Sequence, residues 1–185
     1  MGRSPRLLLA AATALVLAAG LALPAGAAAG GAGPARPEGV AGRTGTPAPA
    51  RRIVSLAPHI TELLFAAGAG DRIVGASAWR DHPEAARAIP RIGDSHAFDI
   101  ERILALRPDL AVAWEAGNAP RHVAALERLG IPVHVEAAEG LDDIGDAIER
   151  LGRLAGTPEV AAATARRYRE RLAQLRERHA GQAPV

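Results

Sequence analysis

From Arg51 onward, short apolar runs suited to strands alternate with amphipathic segments suited to helices, and this alternation limits the fold more than any other feature of the chain. In order the segments are "RIVSLA", "ITELLFAAG", "RIVGAS", "DIERILAL", "DLAVAW", "APRHVAALERLG", "PVHVE" and "LDDIGDAIERLGRLAG". Strands this short, separated by helices, pair in parallel through crossovers, so the expected class is α/β: a small parallel-sheet lobe flanked by helices. The punctuation agrees. Gly68 to Gly70, Pro108, Gly130 with Pro132, and Gly156 each follow a helical stretch, and Asp99 is placed to cap "IERILAL". Thr157 and Pro158 fit an N-cap and first helical position for a last element, "PEVAAATARRYRERLAQLRERHA". As one helix of about 23 residues it reaches roughly 35 Å, which outgrows a small sheet and suits a strut. Val160, Ala163, Tyr168, Leu172 and Leu175 give it an approximate apolar stripe opposite an arginine-rich, solvated face.

The residues before this pattern read as processing sequence. Arg3 and Arg6 form a positive start, Leu7 to Leu23 an apolar stretch, and "PAGAAAG" offers small-residue cleavage sites after Ala27 or Ala29. Residues 1–29 are therefore expected to be a cleavable signal peptide, exporting the chain to the periplasm; the competing reading is a membrane anchor, since the apolar run is near the lower length limit for a span. Residues 30–50, rich in glycine, proline and alanine without apolar periodicity, are expected to be a disordered linker. The folded part then divides into a lobe over 51–156 and the long helix over 157–181. With no cysteine in the sequence, no disulfide staples the fold and no lipid-anchoring thiol is available. All 22 basic residues are arginines, but 20 acidic residues leave a formal net charge of +2, too small for a phosphate-tracking surface. Nucleic acid is excluded as a partner on that ground.

In open parallel α/β sheets, ligands sit outside the carboxyl ends of the strands. The loops leaving those ends here are "APHIT", "SAWRDHP", "GDSHAFD" and "WEAGN". They hold both tryptophans of the chain, Trp79 and Trp114, and three of its six histidines, His59, His82 and His96. In a sequence with 3% aromatic residues that placement points to a binding rim. A tryptophan there offers a broad apolar face and one N–H donor to a large, rigid small-molecule ligand. Trp114 also follows "DLAVA" closely enough to serve as a cap on the core. His59 and Thr61 are candidate rim contacts or plain turn residues, and Glu62 reads as a first-turn acid favoured by the helix dipole. The three histidines lack the spacing of a known metal signature, and His122, His134 and His179 read as ordinary surface residues. No nucleophile elbow, phosphate loop or dinucleotide fingerprint is present. Asp81 with His82, and Asp94 with His96, could form acid–base pairs but have no nucleophile beside them, so an enzyme is not expected.

"RRIVSLAPHITELLFAAGAGDRIVGAS", "DHPEAA", "DIERILALRPDLAVAWEAGN" and the long terminal helix resemble the substrate-binding proteins of ABC importers for cobalamin and iron complexes. The resemblance covers residues 51 to about 181. It implies two α/β lobes joined by one rigid helix, of which this chain holds the first lobe and the helix, the C-terminal lobe being absent. It further implies a monomer that captures cobalamin in the periplasm and delivers it to a membrane permease and ATPase complex. Haem, a ferric siderophore or a metal ion is the alternative cargo, and no resident cofactor is implied. By position, Trp79 and Trp114 fall where cobalamin-binding members have aromatic contacts. Ser95 falls where a further tryptophan stands, and His82 stands in "DHP" where "DYP" is common. Taken together with the strand-end loops, the expected ligand-binding set is Trp79, Trp114, His59, His82, Ser95, His96 and Asn118, and Glu101 matches a lobe-surface glutamate that pairs with permease arginines in the family.

Overall fold

The computed structural model of the protein describes residues 48–94 and 97–181. The expected signal peptide, most of the linker, and Ser95 and His96 lie outside the described residues. Four strands, β1 (Ile53–Ser55), β2 (Ile73–Ala76), β3 (Leu110–Trp114) and β4 (Val133–Glu136), form one sheet in the order β2-β1-β3-β4. Every neighbouring pair is parallel, with Ile53 opposite both Ile73 and Leu110, and Val112 opposite His134. The intervening helices are α1 (Pro58–Ala66), α2 (Ile100–Ala105), α3 (Pro120–Arg128) and α4 (Asp143–Ala155), followed by α5 (Pro158–His179). Single 3₁₀ turns span Gly70–Arg72 and Glu84–Ala88.

The strands are apolar almost throughout because both faces of the sheet are covered, as parallel sheets require. On one face Ile53 and Val112 pack with Ile60, Leu64, Ile148 and Leu151; on the other Val54, Leu56, Ala111 and Ala113 pack with Ile103 and Leu126. Each of the large aliphatic side chains buried here contributes about 1.5–3 kcal/mol relative to exposure. The lobe begins earlier than Arg51. Ala50 joins the core, its N–H donates to the Leu154 carbonyl at 2.8 Å and its carbonyl accepts from Arg72 at 3.1 Å. The last residues of the expected linker are therefore part of the lobe, because α4 offers them a free carbonyl and an apolar surface.

Pro58 does not merely turn the chain: it occupies the first position of α1, where its missing N–H costs nothing. Glu62 consequently falls beyond the first helical turn, and no acid stands in that turn. Asp99 caps α2 as expected, its carboxylate accepting from the Arg102 N–H at 2.9 Å. Thr157 holds the N-cap position of α5, but its hydroxyl donates to the Ala67 carbonyl at 2.7 Å and thereby ties α5 to the end of α1.

The seam of α5 also differs from the expected stripe. Val160 and Leu175 are exposed, and the buried residues are Ala161 and Ala165. A Cβ added at Gly152 would lie 2.2 Å from that of Ala161. The α4 and α5 backbones therefore meet through small residues, and close approach, not bulk, selects the seam. Toward the far end of α5 the contact becomes polar: the Arg169 guanidinium spans Asp146 and Glu149, Arg176 pairs with both oxygens of Asp142 at 2.7 and 2.9 Å, and the Tyr168 hydroxyl donates to the Leu141 carbonyl.

Candidate functional site

The central strands β1 and β3 are adjacent, and the chain leaves them toward opposite sides of the sheet, which makes their carboxyl ends the switch point where such sheets bind ligands. At the end of β1 the backbone is pinned from within. Ser55 and Thr61 are both fully buried; the Thr61 hydroxyl donates to Ser55 Oγ at 2.9 Å, and the Ser55 hydroxyl donates to the Ala57 carbonyl at 3.0 Å. Thr61 is thus turn chemistry and not a rim contact. The pinned turn projects His59, the second residue of α1, toward β3.

His59 and Trp114 meet there, ring centroids 4.7 Å apart and planes at 84°. The edge-to-face geometry suits the quadrupole of the indole. Burial holds the His59 pKa below its ordinary value against the opposing charge of Glu62, which keeps the imidazole neutral near pH 7. Both rings are partly buried, so Trp114 caps the core with one side and presents the other to the rim. Asn118 lies behind them. Its Nδ2 donates to the Leu56 carbonyl at 3.0 Å, and its Oδ1 accepts from the Trp114 N–H at 2.7 Å. The expected ligand contact at Asn118 is therefore a carboxamide engaged at both ends by the backbone.

Trp79 stands on the loop after β2, the strand that borders β1 on the side away from β3. It is 79% exposed and adopts φ +64°, a left-handed conformation that a bulky residue rarely holds. The loop beneath it is braced by Arg80, whose guanidinium donates to the Ser77 and Ile89 carbonyls. The indole is consequently held outward by a fixed backbone. His82, in the same loop and followed by a cis peptide bond to Pro83, is exposed together with Asp81. Glu101 is exposed in the first turn of α2. No group of three or more histidine, cysteine or acidic residues able to hold a metal occurs among the described residues.

Two features escaped the sequence. Gly117 lies under the Trp114 indole: a Cβ there would stand 2.0 and 2.2 Å from two ring carbons. Glu136, at the end of β4, is 1% exposed and pairs with Arg150 at 2.5 Å and His134 at 3.3 Å. Burial pushes its pKa up, but the hydrogen bonds and charges of Arg150 and His134 outweigh that and hold the carboxyl below its usual range. His134 is thus a hydrogen-bond partner of the buried Glu136 carboxylate and not an ordinary surface residue. These residues border a cleft of about 430 Å³ with Asp143 and Asp146.

Comparison with known proteins bears on this arrangement. The family model for periplasmic binding proteins matches residues 53–185. A vitamin B12-binding protein of Vibrio cholerae is 43% identical over 139 residues, 75% of this chain and 50% of the relative. One of Vibrio vulnificus is 39% identical over 132 residues, 71% of this chain and 48% of the relative. The crystal structure of the periplasmic vitamin B12 binding protein of Vibrio cholerae superposes with a TM-score of 0.70, covering 74% of this chain and 54% of that one. A periplasmic haem binding protein of Pseudomonas aeruginosa is 30% identical with a TM-score of 0.62, covering 68% and 45%. The chain spans about half the length of the curated relatives it matches. The matched family is one of binding proteins and not of enzymes. The chain belongs to the periplasmic binding protein family.

Proposed function

We propose that this chain supplies one wall of a periplasmic binding site for cobalamin or a related corrinoid and presents that ligand to an ABC importer. The observation that carries the reading is Trp79: an indole held outward by a braced, left-handed backbone at the same sheet edge as the His59–Trp114 pair. Aromatic surfaces at the carboxyl ends of the two strands that flank β1 suit a broad, flat macrocycle better than a small solute. The vitamin B12-binding relatives support the same ligand. In this reading His82, Ser95 and His96 complete the rim, residues 1–29 direct export and are cleaved, and exposed Glu101 docks on permease arginines.

Calorimetric titration with cyanocobalamin tests the ligand. It is made on this chain and on a chimaera in which the second half of the Vibrio cholerae relative follows residue 181. Saturable heat at one ligand per chimaera is expected, with weaker binding to the single lobe, because a closed pocket covers about 70–90% of a ligand and one wall covers about half of that. No heat from the chimaera at high micromolar ligand overturns the assignment.

Haem is the second reading, favoured by the neutral His59 imidazole beside Trp114 and by the 30% identical haem-binding relative. It requires a Soret shift of added haemin that disappears in His59→Ala. An unchanged spectrum eliminates it.

A further inference from the structure

The hydrogen-bond ladder between β1 and β3 ends where the Leu56 N–H donates to the Val112 carbonyl at 2.9 Å. Beyond that rung the Leu56 carbonyl and the backbone N–H of Trp114 do not bond to each other. The carboxamide of Asn118 fills the gap, accepting from Trp114 at 2.7 Å and donating to Leu56 at 3.0 Å. The Asn118 N–H returns to the Trp114 carbonyl at 2.9 Å, so both backbone groups of Trp114 are held by one residue. Asn118 is 5% exposed, which removes competing water from these bonds. The indole itself rests on Gly117, where any side chain would drive into its six-membered ring.

We propose that Asn118 is a positioning residue: with Gly117 as the floor, its carboxamide bridges the carboxyl ends of β1 and β3 and fixes the Trp114 indole edge-on to His59, forming a preorganised wall for a flat, conjugated ligand. The nature of that ligand rests on the corrinoid reading above; the positioning does not. The chemistry is specific to asparagine. Aspartate keeps the acceptor for Trp114 but sets a carboxylate against the Leu56 carbonyl, and leucine provides neither bond. A wall that is already ordered before binding avoids the entropic cost of immobilising a tryptophan on association.

The test uses the whole chain in a Trp79→Phe background, which leaves Trp114 as its single indole. Near-ultraviolet circular dichroism reads the fixed ring, and the pH dependence of Trp114 emission reads its contact with His59, which quenches when protonated; Glu62 is the charged group acting on that imidazole. Asn118→Asp and Gly117→Ala are each expected to retain the far-ultraviolet spectrum, lose the near-ultraviolet tryptophan band and the His59-linked emission step, and bind cyanocobalamin at least tenfold more weakly. A band and titration unchanged in both variants overturns the proposal. So does a loss of affinity in Asn118→Asp with the band intact, since that makes Asn118 a ligand contact. Should Asn118→Asp fail to fold, Gly117→Ala decides, because it removes no hydrogen bond. If the parent binds no corrinoid, the two spectroscopic readouts still decide the positioning, and the failure belongs to the ligand reading.

Discussion

Replacing Trp79 by glycine separates a binding role from a structural one more sharply than any other single change. For an L-residue the left-handed conformation costs about 1–2 kcal/mol, which glycine does not incur. Glycine in turn frees the unfolded chain by roughly 0.5–1 kcal/mol. With the indole 79% exposed, little packing is lost, so the net stability change lies between zero and about 1.5 kcal/mol in favour of the variant. A buried tryptophan would instead cost about 3–5 kcal/mol on truncation. Binding should respond in the opposite sense. If one face of the ring, about 100 Å², is covered by ligand, its loss is worth about 2.5 kcal/mol, or roughly 70-fold in affinity. Urea unfolding gives the first quantity and cyanocobalamin calorimetry the second. A loss of stability above about 1 kcal/mol would place the indole in the packing of the fold. Unchanged affinity would remove Trp79 from the ligand wall.

Three further changes test the frame that carries the site. Thr157→Val removes the bond from α5 to the Ala67 carbonyl at 2.7 Å and should cost about 1 kcal/mol, with faster amide exchange in the first turns of α5; unchanged exchange would show that the tether is idle. Glu136→Gln strips the charge from the buried carboxylate that pairs with Arg150 and His134 and should cost about 1–3 kcal/mol, since the partly exposed guanidinium can rehydrate. The lowered pKa of Glu136 adds a pH signature: its stabilisation is complete above the unfolded carboxylate value and is lost as pH falls through the lower folded value, so the variant should lose the acid-side part of the stability curve. His59 acts in the same direction at higher pH. Its folded pKa lies below the 6.5 of a free imidazole, so the unfolded chain binds the extra proton and stability declines as pH falls below about 6.5. His59→Phe should flatten that decline, and an unaltered curve would refute the assignment.

The sequence carries the strand and helix order because a doubly covered parallel sheet writes itself as apolar runs: every segment from "RIVSLA" to "LDDIGDAIERLGRLAG" contains the strand or helix expected of it. Asp99 was readable as a cap because capping is local. Thr157 has the same local signature, yet its hydroxyl serves α1, 90 residues away, and no local pattern encodes that partner. The seam of α5 was misleading for a related reason. Hydrophobicity singles out Val160 and Leu175, but the packed residues are the alanines that face Gly152, and close backbone approach leaves only a small-residue trace. At the site, tryptophans and histidines stand out by rarity. Asn118 and Gly117, which hold one of them in place, are ordinary residues for a loop; only the reach of Asn118 to Leu56, 62 residues distant, distinguishes it. Glu136 looks like a polar strand end until the fold brings Arg150 against it.

Tryptophan fluorescence during a cyanocobalamin titration of this chain tests the central claim most directly, because both indoles of the sequence belong to the proposed wall and a corrinoid absorbs where they emit. The account predicts saturable quenching of both, with the Trp79 and Trp114 contributions separated in the Trp79→Phe and Trp114→Phe variants. Quenching that rises without saturation, matching that of free tryptophan at the same ligand concentrations, would contradict it.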